Sequence, residues 1–235
     1  SAERILAQKF ALGLFENPYV DAEAAVALVG KTEFQQEAQA AQAASHVLLK
    51  NEGALLPLKA DGKRVYLHNV NAEVARANGY TVVTNLTDAE LAIVRVNAPG
   101  EQDPRFPFGS IHFGQLGFAS NDQVVQETAH EGVYRGADDY AAIQAIEQAG
   151  VPLVLSVYLD RPAILTEVAP SARVLLVNFG ALDQALFDVM SGTQKARGKL
   201  PFELPSSWQA VLAQSPDVAK DSQSPLYPYG AGLAY

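Results

Sequence analysis

The stretch from Val174 to Ser207, VLLVNFGALDQALFDVMSGTQKARGKLPFELPSS, constrains the fold more than any other part of the sequence. It opens on a short, continuous apolar run. Strands covered on both faces read this way, whereas half-exposed strands alternate. Gly180 breaks the run. Leu182, Ala185, Leu186, Val189 and Met190 then recur at helical spacing and give one apolar face. Gly192 is placed to end that helix, because a left-handed C-terminal residue is cheap for glycine. Gly198-Lys199-Leu200-Pro201 leads into what reads as another extended piece. Strand, helix and strand-like return make half of a wound α/β unit, which needs a sheet around it.

The rest of the chain supplies candidates for that sheet. Arg64–Asn69, Thr81–Thr84, Leu91–Val96 and Leu153–Leu159 read as strands, and Val174–Phe179 follows them. Helices are expected at Asn71–Asn78, 137–149 and Arg161–Val168. Strands alternating with helices at this spacing predict a mainly parallel sheet of about five to six strands with helices on both faces. Ahead of it, residues 2–14, 22–29 and 33–49 carry helical periodicity, the last with Phe34, Ala38, Ala41, Ser45 and Leu48 on one face. The expected organisation is therefore linker helices and a domain-opening segment over 1–58, then an α/β domain over 59–235. The tail, Pro225 to Tyr235, has too many prolines and glycines for regular structure and is expected to strap the domain surface.

Composition narrows the chemistry. The chain of 235 residues is 49% hydrophobic and 18% charged, so a large core is available. The net charge of −9 disfavours nucleic acid and an anionic membrane surface as partners. No apolar run approaches the ~18 residues of a membrane span. Residues 1–15 carry charges throughout and do not read as a signal peptide. The absence of cysteine excludes disulfides, thiolate nucleophiles and Cys-type metal sites. The four histidines show no ligand spacing, so no metal is expected. There is no P-loop, no dinucleotide fingerprint and no nucleophile elbow, and no cofactor is expected.

Ligands in open α/β sheets gather beyond the carboxyl ends of the strands. The third strand runs into Asn97–Phe118, which reads as long, irregular and rich in aromatic residues. Glu101 is a carboxylate on that loop. Phe106, Phe108, Phe113 and Phe118 offer faces that suit sugars, and His112 lies among them. A lone loop carboxylate is more often a solvated surface residue, and Glu131 beside His130 reads the same way. The simple reading of His46 is a structural residue inside a helix. Lys50 and Asn51 read as dipole and cap residues at a helix end, Asp160-Arg161-Pro162 as a helix start, and Trp208 as packing.

Several motifs resemble glycoside hydrolase family 3. Asn178–Gly192 followed by Gly198-Lys199-Leu200-Pro201 resembles part of that family's C-terminal α/β-sandwich domain. Val47–Gly53 with Leu55-Leu56-Pro57-Leu58 is similar to the signature that opens the domain, and Arg4–Val20 is similar to the linker before it. Arg161-Pro162 and Tyr227–Leu233 resemble later signatures, the last with Tyr-Gly-Ala where Phe-Gly-His is usual. The resemblance implies a retaining, exo-acting β-glycosidase of the β-glucosidase or β-xylosidase kind. It implies an aspartate nucleophile in a preceding barrel and a glutamate acid/base on a loop of this domain, with Glu101 as the matching residue. Phe106, Phe108 and His112 are the implied substrate contacts. The implied partners are a carbohydrate and the barrel, and a periplasmic or secreted location is favoured. Without the nucleophile, these residues alone are expected not to hydrolyse aryl β-glycosides. The alternative is a non-catalytic domain that binds carbohydrate or stabilises the barrel.

Overall fold

The computed structural model describes residues 1–102, 112–113, 116–118, 133–135, 137–215 and 217–235. They form two compact units, Ser1–Ala38 and Gln39–Tyr235. The first holds helices α1 (Ala2–Ala11) and α2 (Ala22–Leu28) and the start of α3 (Thr32–Ser45). Asp21 caps α2, its side chain accepting from the Ala24 amide at 3.0 Å, as its position before an alanine-rich run favours.

The second unit is built on strands β1 (Val47–Asn51), β2 (Arg64–His68), β3 (Thr81–Val83), β4 (Leu91–Asn97), β8 (Leu153–Tyr158) and β9 (Val174–Asn178). Their order is β1-β9-β8-β4-β2-β3. All neighbours are parallel except β1, which runs antiparallel to β9. Between β4 and β8 lie three short strands, β5 (Gly100–Gln102), β6 (His112–Phe113) and β7 (Val133–Arg135), forming a separate antiparallel sheet with β5 in the middle. Helices α4 (Ala72–Ala77), α5 (Ala137–Gln148), α6 (Asp183–Ser191) and α7 (Trp208–Leu212) complete the chain.

The central strands β8 and β9 are buried almost end to end, which is what an uninterrupted apolar run predicts for a strand covered on both faces. The alternation of their side chains divides the core in two. Leu155, Val157, Leu175 and Val177 meet Ile143 and Ile146 of α5 on one face. Val154, Val174 and Leu176 meet Ala75 of α4 and Ala185, Leu186, Val189 and Met190 of α6 on the other. The expected α/β class, a mainly parallel sheet with helices on both faces, is the one observed. Gly192 ends α6 in the left-handed region at φ 79°.

Four local expectations differ from the structure. The helix expected over 33–49 stops at Ser45, and Val47–Asn51 forms β1, because β9 offers a free antiparallel edge to the run Val-Leu-Leu. No helix forms over 161–168. Ala163, Ile164, Leu165 and Val168 are all buried, a pattern too wide for one helical face, and Ile164 bridges Gly117 instead. The stretch 97–118 is not irregular throughout, since it contains β5 and β6, paired through contacts distant in sequence. The segment after Gly198 forms no strand, and Leu204 makes one isolated bridge to Tyr227.

The tail straps the domain as expected. The Leu233 amide donates to the Leu48 carbonyl at 2.7 Å, and the Leu200 and Leu204 amides donate to Ala231 and Tyr227 at 2.9 Å. The Tyr235 hydroxyl donates to the Val189 carbonyl. Through Leu233 the tail takes one hydrogen-bonding position on β1, an edge strand.

Candidate functional site

The carboxyl ends of β2, β4, β8 and β9 are His68, Asn97, Tyr158 and Asn178, so the parallel strands terminate on polar side chains at one edge. The strand order reverses between β2 and β4, because the chain passes from β2 outward to β3 and returns to the other side of β2. Such a reversal opens a crevice above the sheet.

Glu101 is two residues past the turn that leaves this edge. After β4 the Ala98 amide donates to the Tyr158 carbonyl at 2.8 Å, and Pro99 and Gly100 are buried. β5 then begins directly, with Glu101 in its centre, opposite Phe113 of β6 and Tyr134 of β7. His112 stands opposite Gln102. Glu101 and His112 are therefore brought to neighbouring strands of one small sheet. Phe106, Phe108, His130 and Glu131 lie outside the described residues. Phe118 is 1% exposed and belongs to the core.

Arg161 fixes this turn from the neighbouring strand end. Its guanidinium donates to the Pro99 carbonyl at 3.0 Å, joining the segment after β8 to the residue two before Glu101. The expectation that Asp160-Arg161-Pro162 starts a helix is corrected here. Arg161 also lines a cleft of about 540 Å³ with Phe202, Glu203, Lys220, Asp221 and Tyr229. The Lys220 ammonium lies 3.7 Å from the Tyr229 ring centroid, and Phe202 meets Phe179 edge to face, with centroids 6.2 Å apart. The cleft falls within the ordinary range for small-ligand sites, about 300–1,000 Å³.

A second polar group holds the β2 side of the same edge. His68 Nε2 and Asp139 Oδ1 are 2.7 Å apart, and the Asn69 amide group donates to the same oxygen at 2.8 Å. Arg95 pairs with Asp183 and donates to the Ala181 carbonyl at 2.6 Å. Asp183 also accepts from the Asn71 amide at 2.7 Å. With these partners the charges tie β2, β4 and the starts of α5 and α6 together.

The remaining residues singled out in the sequence are structural in the described geometry. His46 follows α3 instead of sitting inside it and is 1% exposed. Its Nδ1 lies 3.0 Å from the Gln42 carbonyl, and burial holds its pKa below the ordinary value of 6.5. Lys50 and Asn51 close β1, and Asn51 precedes the 3-10 turn Glu52–Ala54 without a side-chain cap bond to it. Lys50 donates to the Ala169 carbonyl at 3.2 Å, and the Asn51 side chain exchanges two hydrogen bonds with the Leu56 backbone. Asp188 accepts from Gln39 and Gln184, and Glu203 from the Ser222 amide. Among the described residues no group of three or more His, Cys, Asp or Glu side chains could hold a metal ion, and no helix is long and apolar enough to cross a membrane.

Sequence reasoning missed the Arg161–Pro99 tie, the small sheet and the His68–Asp139 pair. The signal for Arg161 was its place just past a buried strand. The other two join residues too far apart in sequence for any local pattern to pair them.

The family described as glycosyl hydrolase family 3 C-terminal domain matches residues 46–235. A periplasmic beta-glucosidase/beta-xylosidase of Dickeya chrysanthemi is 42% identical over 238 residues, covering 100% of this chain and 34% of the relative. A probable beta-glucosidase C of Aspergillus oryzae is 37% identical and likewise covered over 34% of its length. The chain thus spans about a third of the length of these relatives. In structure it is similar to a beta-glucosidase from Listeria innocua solved with isofagomine, with a TM-score of 0.72 at 19% identity, covering 99% of this chain and 38% of the other. A β-glucosidase from Erythrobacter marinus gives a TM-score of 0.70 at 20% identity, covering 100% of this chain and 39% of the other.

Proposed function

The chain belongs to glycosyl hydrolase family 3, as that family's C-terminal domain, and we propose that it serves a retaining, exo-acting β-glycosidase of the β-glucosidase type. In this reading it forms one wall of the active-site cleft and carries the general acid/base, Glu101. The barrel that precedes it in the parent enzyme supplies the aspartate nucleophile. The substrate is a β-linked carbohydrate whose faces and hydroxyls meet Phe106, Phe108 and His112.

The observation that carries the proposal is the placement of Glu101. It stands at the carboxyl edge of a parallel sheet, in a strand that continues from β4 after two residues, with its turn tied to the end of β8 through Arg161 and Ala98. A general acid must meet the glycosidic oxygen in a fixed orientation, and a carboxylate on a short paired strand is held better than one on a free loop. In a retaining mechanism this group first protonates the leaving oxygen. It then takes a proton from the water that releases the glycosyl-enzyme. The two carboxyl groups stand about 5–5.5 Å apart. Desolvation in the closed cleft supports the acid form needed for the first step.

The test is Glu101→Ala in the parent enzyme. Activity on substrates with poor leaving groups is expected to fall by roughly 100- to 10,000-fold, while dinitrophenyl β-glucosides, which need no protonation, keep most of their glycosylation rate. Equal loss on both kinds of substrate, or no loss, overturns the assignment. Without a nucleophile partner, these 235 residues are expected to leave aryl β-glucosides intact, as a direct assay of the purified chain would reveal.

A second reading, carbohydrate binding without catalysis, draws on the cleft beside Arg161. Its aromatic and charged lining, with Phe202, Tyr229, Glu203 and Asp221, has the character of a sugar site. Unchanged kinetics in Glu101→Ala together with weaker saccharide binding in Tyr229→Ala would favour it.

A further inference from the structure

The chain enters the small sheet from β4 and leaves it into α5. The entry is secured by the Ala98 amide on Tyr158 and by Arg161 on Pro99. The exit is secured from β2. Tyr134 of β7 stands opposite Glu101, and α5 begins directly after that short strand, with Asp139 in its first turn. His68 Nε2, at the carboxyl end of β2, lies 2.7 Å from Asp139 Oδ1. Facing a carboxylate, Nε2 is the donor. Asn69 donates to the same oxygen at 2.8 Å. The His68 and Asp139 side chains are 22% and 17% exposed, so the contact is shielded from the solvent that makes surface ion pairs weak. Asn69 holds φ 55°, a left-handed conformation that asparagine tolerates and most other residues do not. The backbone bends there to bring a second donor to Asp139.

We infer that His68 and Asp139 are a positioning pair for the acid/base. Through the start of α5 and through β7 they fix where β5 lies, as Arg161 fixes it from the entry side. This inference rests on the assignment of Glu101 made above. Three observations carry it. First, α5 is already held by its apolar face, since Ile143 and Ile146 are buried against the sheet. Acidic residues in its first turn already suit the helix dipole. The bonds to His68 and Asn69 add a fixed position for that turn rather than the helix itself. Second, β7 is three residues long and pairs only with β5. A strand so short takes its placement from what it is joined to. Third, the register runs without a break from β7 to the residue at issue, with Arg135, Tyr134 and Val133 opposite Gly100, Glu101 and Gln102. A shift at Asp139 is therefore passed to Glu101 through one helical turn and one ladder.

The test uses the parent enzyme and two substrates, an alkyl β-glucoside and a dinitrophenyl β-glucoside. His68→Ala is expected to lower kcat on the alkyl glucoside by roughly 10- to 100-fold, with KM within about twofold. On the dinitrophenyl glucoside kcat/KM, which reports glycosylation, is expected to stay within about threefold, because that leaving group departs without a proton. His68→Gln keeps a donor near the place of Nε2 and is expected to regain most of the loss. Asn69→Gly keeps φ 55° accessible and removes one of the two bonds to Asp139. It is expected to show a smaller loss of the same kind, and it carries the test where His68→Ala does not fold. Ile146→Val, a core change in the same helix, is expected to lower the urea midpoint and leave the ratio of the two activities unchanged. Equal loss on both substrates, or no loss in either the His68 or the Asn69 variant, overturns the inference. In a Glu101→Ala background, His68→Ala is expected to have no further effect on the alkyl glucoside. Glu101→Ala without leaving-group dependence sinks the reading of Glu101. Glu101→Ala with that dependence, beside His68→Ala without it, sinks the positioning pair alone.

Discussion

His46 shows how a buried residue converts pH into stability. Burial holds its folded pKa below the ordinary value of 6.5. A neutral imidazole in the fold faces an unfolded chain that takes up a proton below about 6.5. The unfolded state then binds more protons, so stability falls as pH drops through 6.5 toward the folded pKa and is level above it. Urea midpoints are therefore expected to decline between pH 7.5 and pH 5, and His46→Gln should flatten that decline whatever it does to the plateau. Gly198 makes a different demand. A Cβ there would stand 2.4 Å from the Ser45 carbonyl oxygen and 2.8 Å from that of His46, both backbone atoms. Neither can move without shifting β1, so Gly198→Ala is expected to cost about 2–3 kcal/mol in denaturant unfolding. Arg161 acts through Pro99 on the strand that holds Glu101. In the parent, Arg161→Ala is expected to lower kcat by roughly 10- to 100-fold with little change in KM, the mark of a misplaced catalytic group. A parallel rise in KM would show that it holds substrate instead.

At the scale of elements, the parallel strands were legible because each is a short apolar run bounded by turn residues, with β9 and α6 the clearest. Gly192 ended α6 where its φ of 79° requires. Legibility failed where pairing partners lie far apart in sequence. Val47–Asn51 has helical neighbours and an apolar period compatible with either state, and only the free edge of β9 decides it. Strands β5, β6 and β7 are two or three residues long, too short to leave a period, and they exist through one another. The candidate acid/base was therefore found by its place after a strand and by family resemblance, while the strand that holds it was not foreseen. The tail was read correctly as a strap, but its backbone hydrogen bonds to Leu48, Leu200 and Leu204 are not encoded in composition.

At the scale of the molecule, the compact α/β unit over Gln39–Tyr235 carries the edge on which Glu101 stands, and the smaller unit Ser1–Ala38 comes before it in sequence. The chain matches a third of the length of its relatives. Glu101 is proposed as the acid/base of the parent enzyme. The most direct measurement is azide rescue of Glu101→Ala in that enzyme, with an activated aryl β-glucoside as substrate and the product identified by its anomeric configuration. A small anion can attack the glycosyl-enzyme from the space the side chain vacates, without base assistance. The rate is expected to rise with azide and the product to be a β-glucosyl azide. An unaffected rate with no azide adduct, or an α-glucosyl azide of the kind expected when the nucleophile is removed, would contradict it.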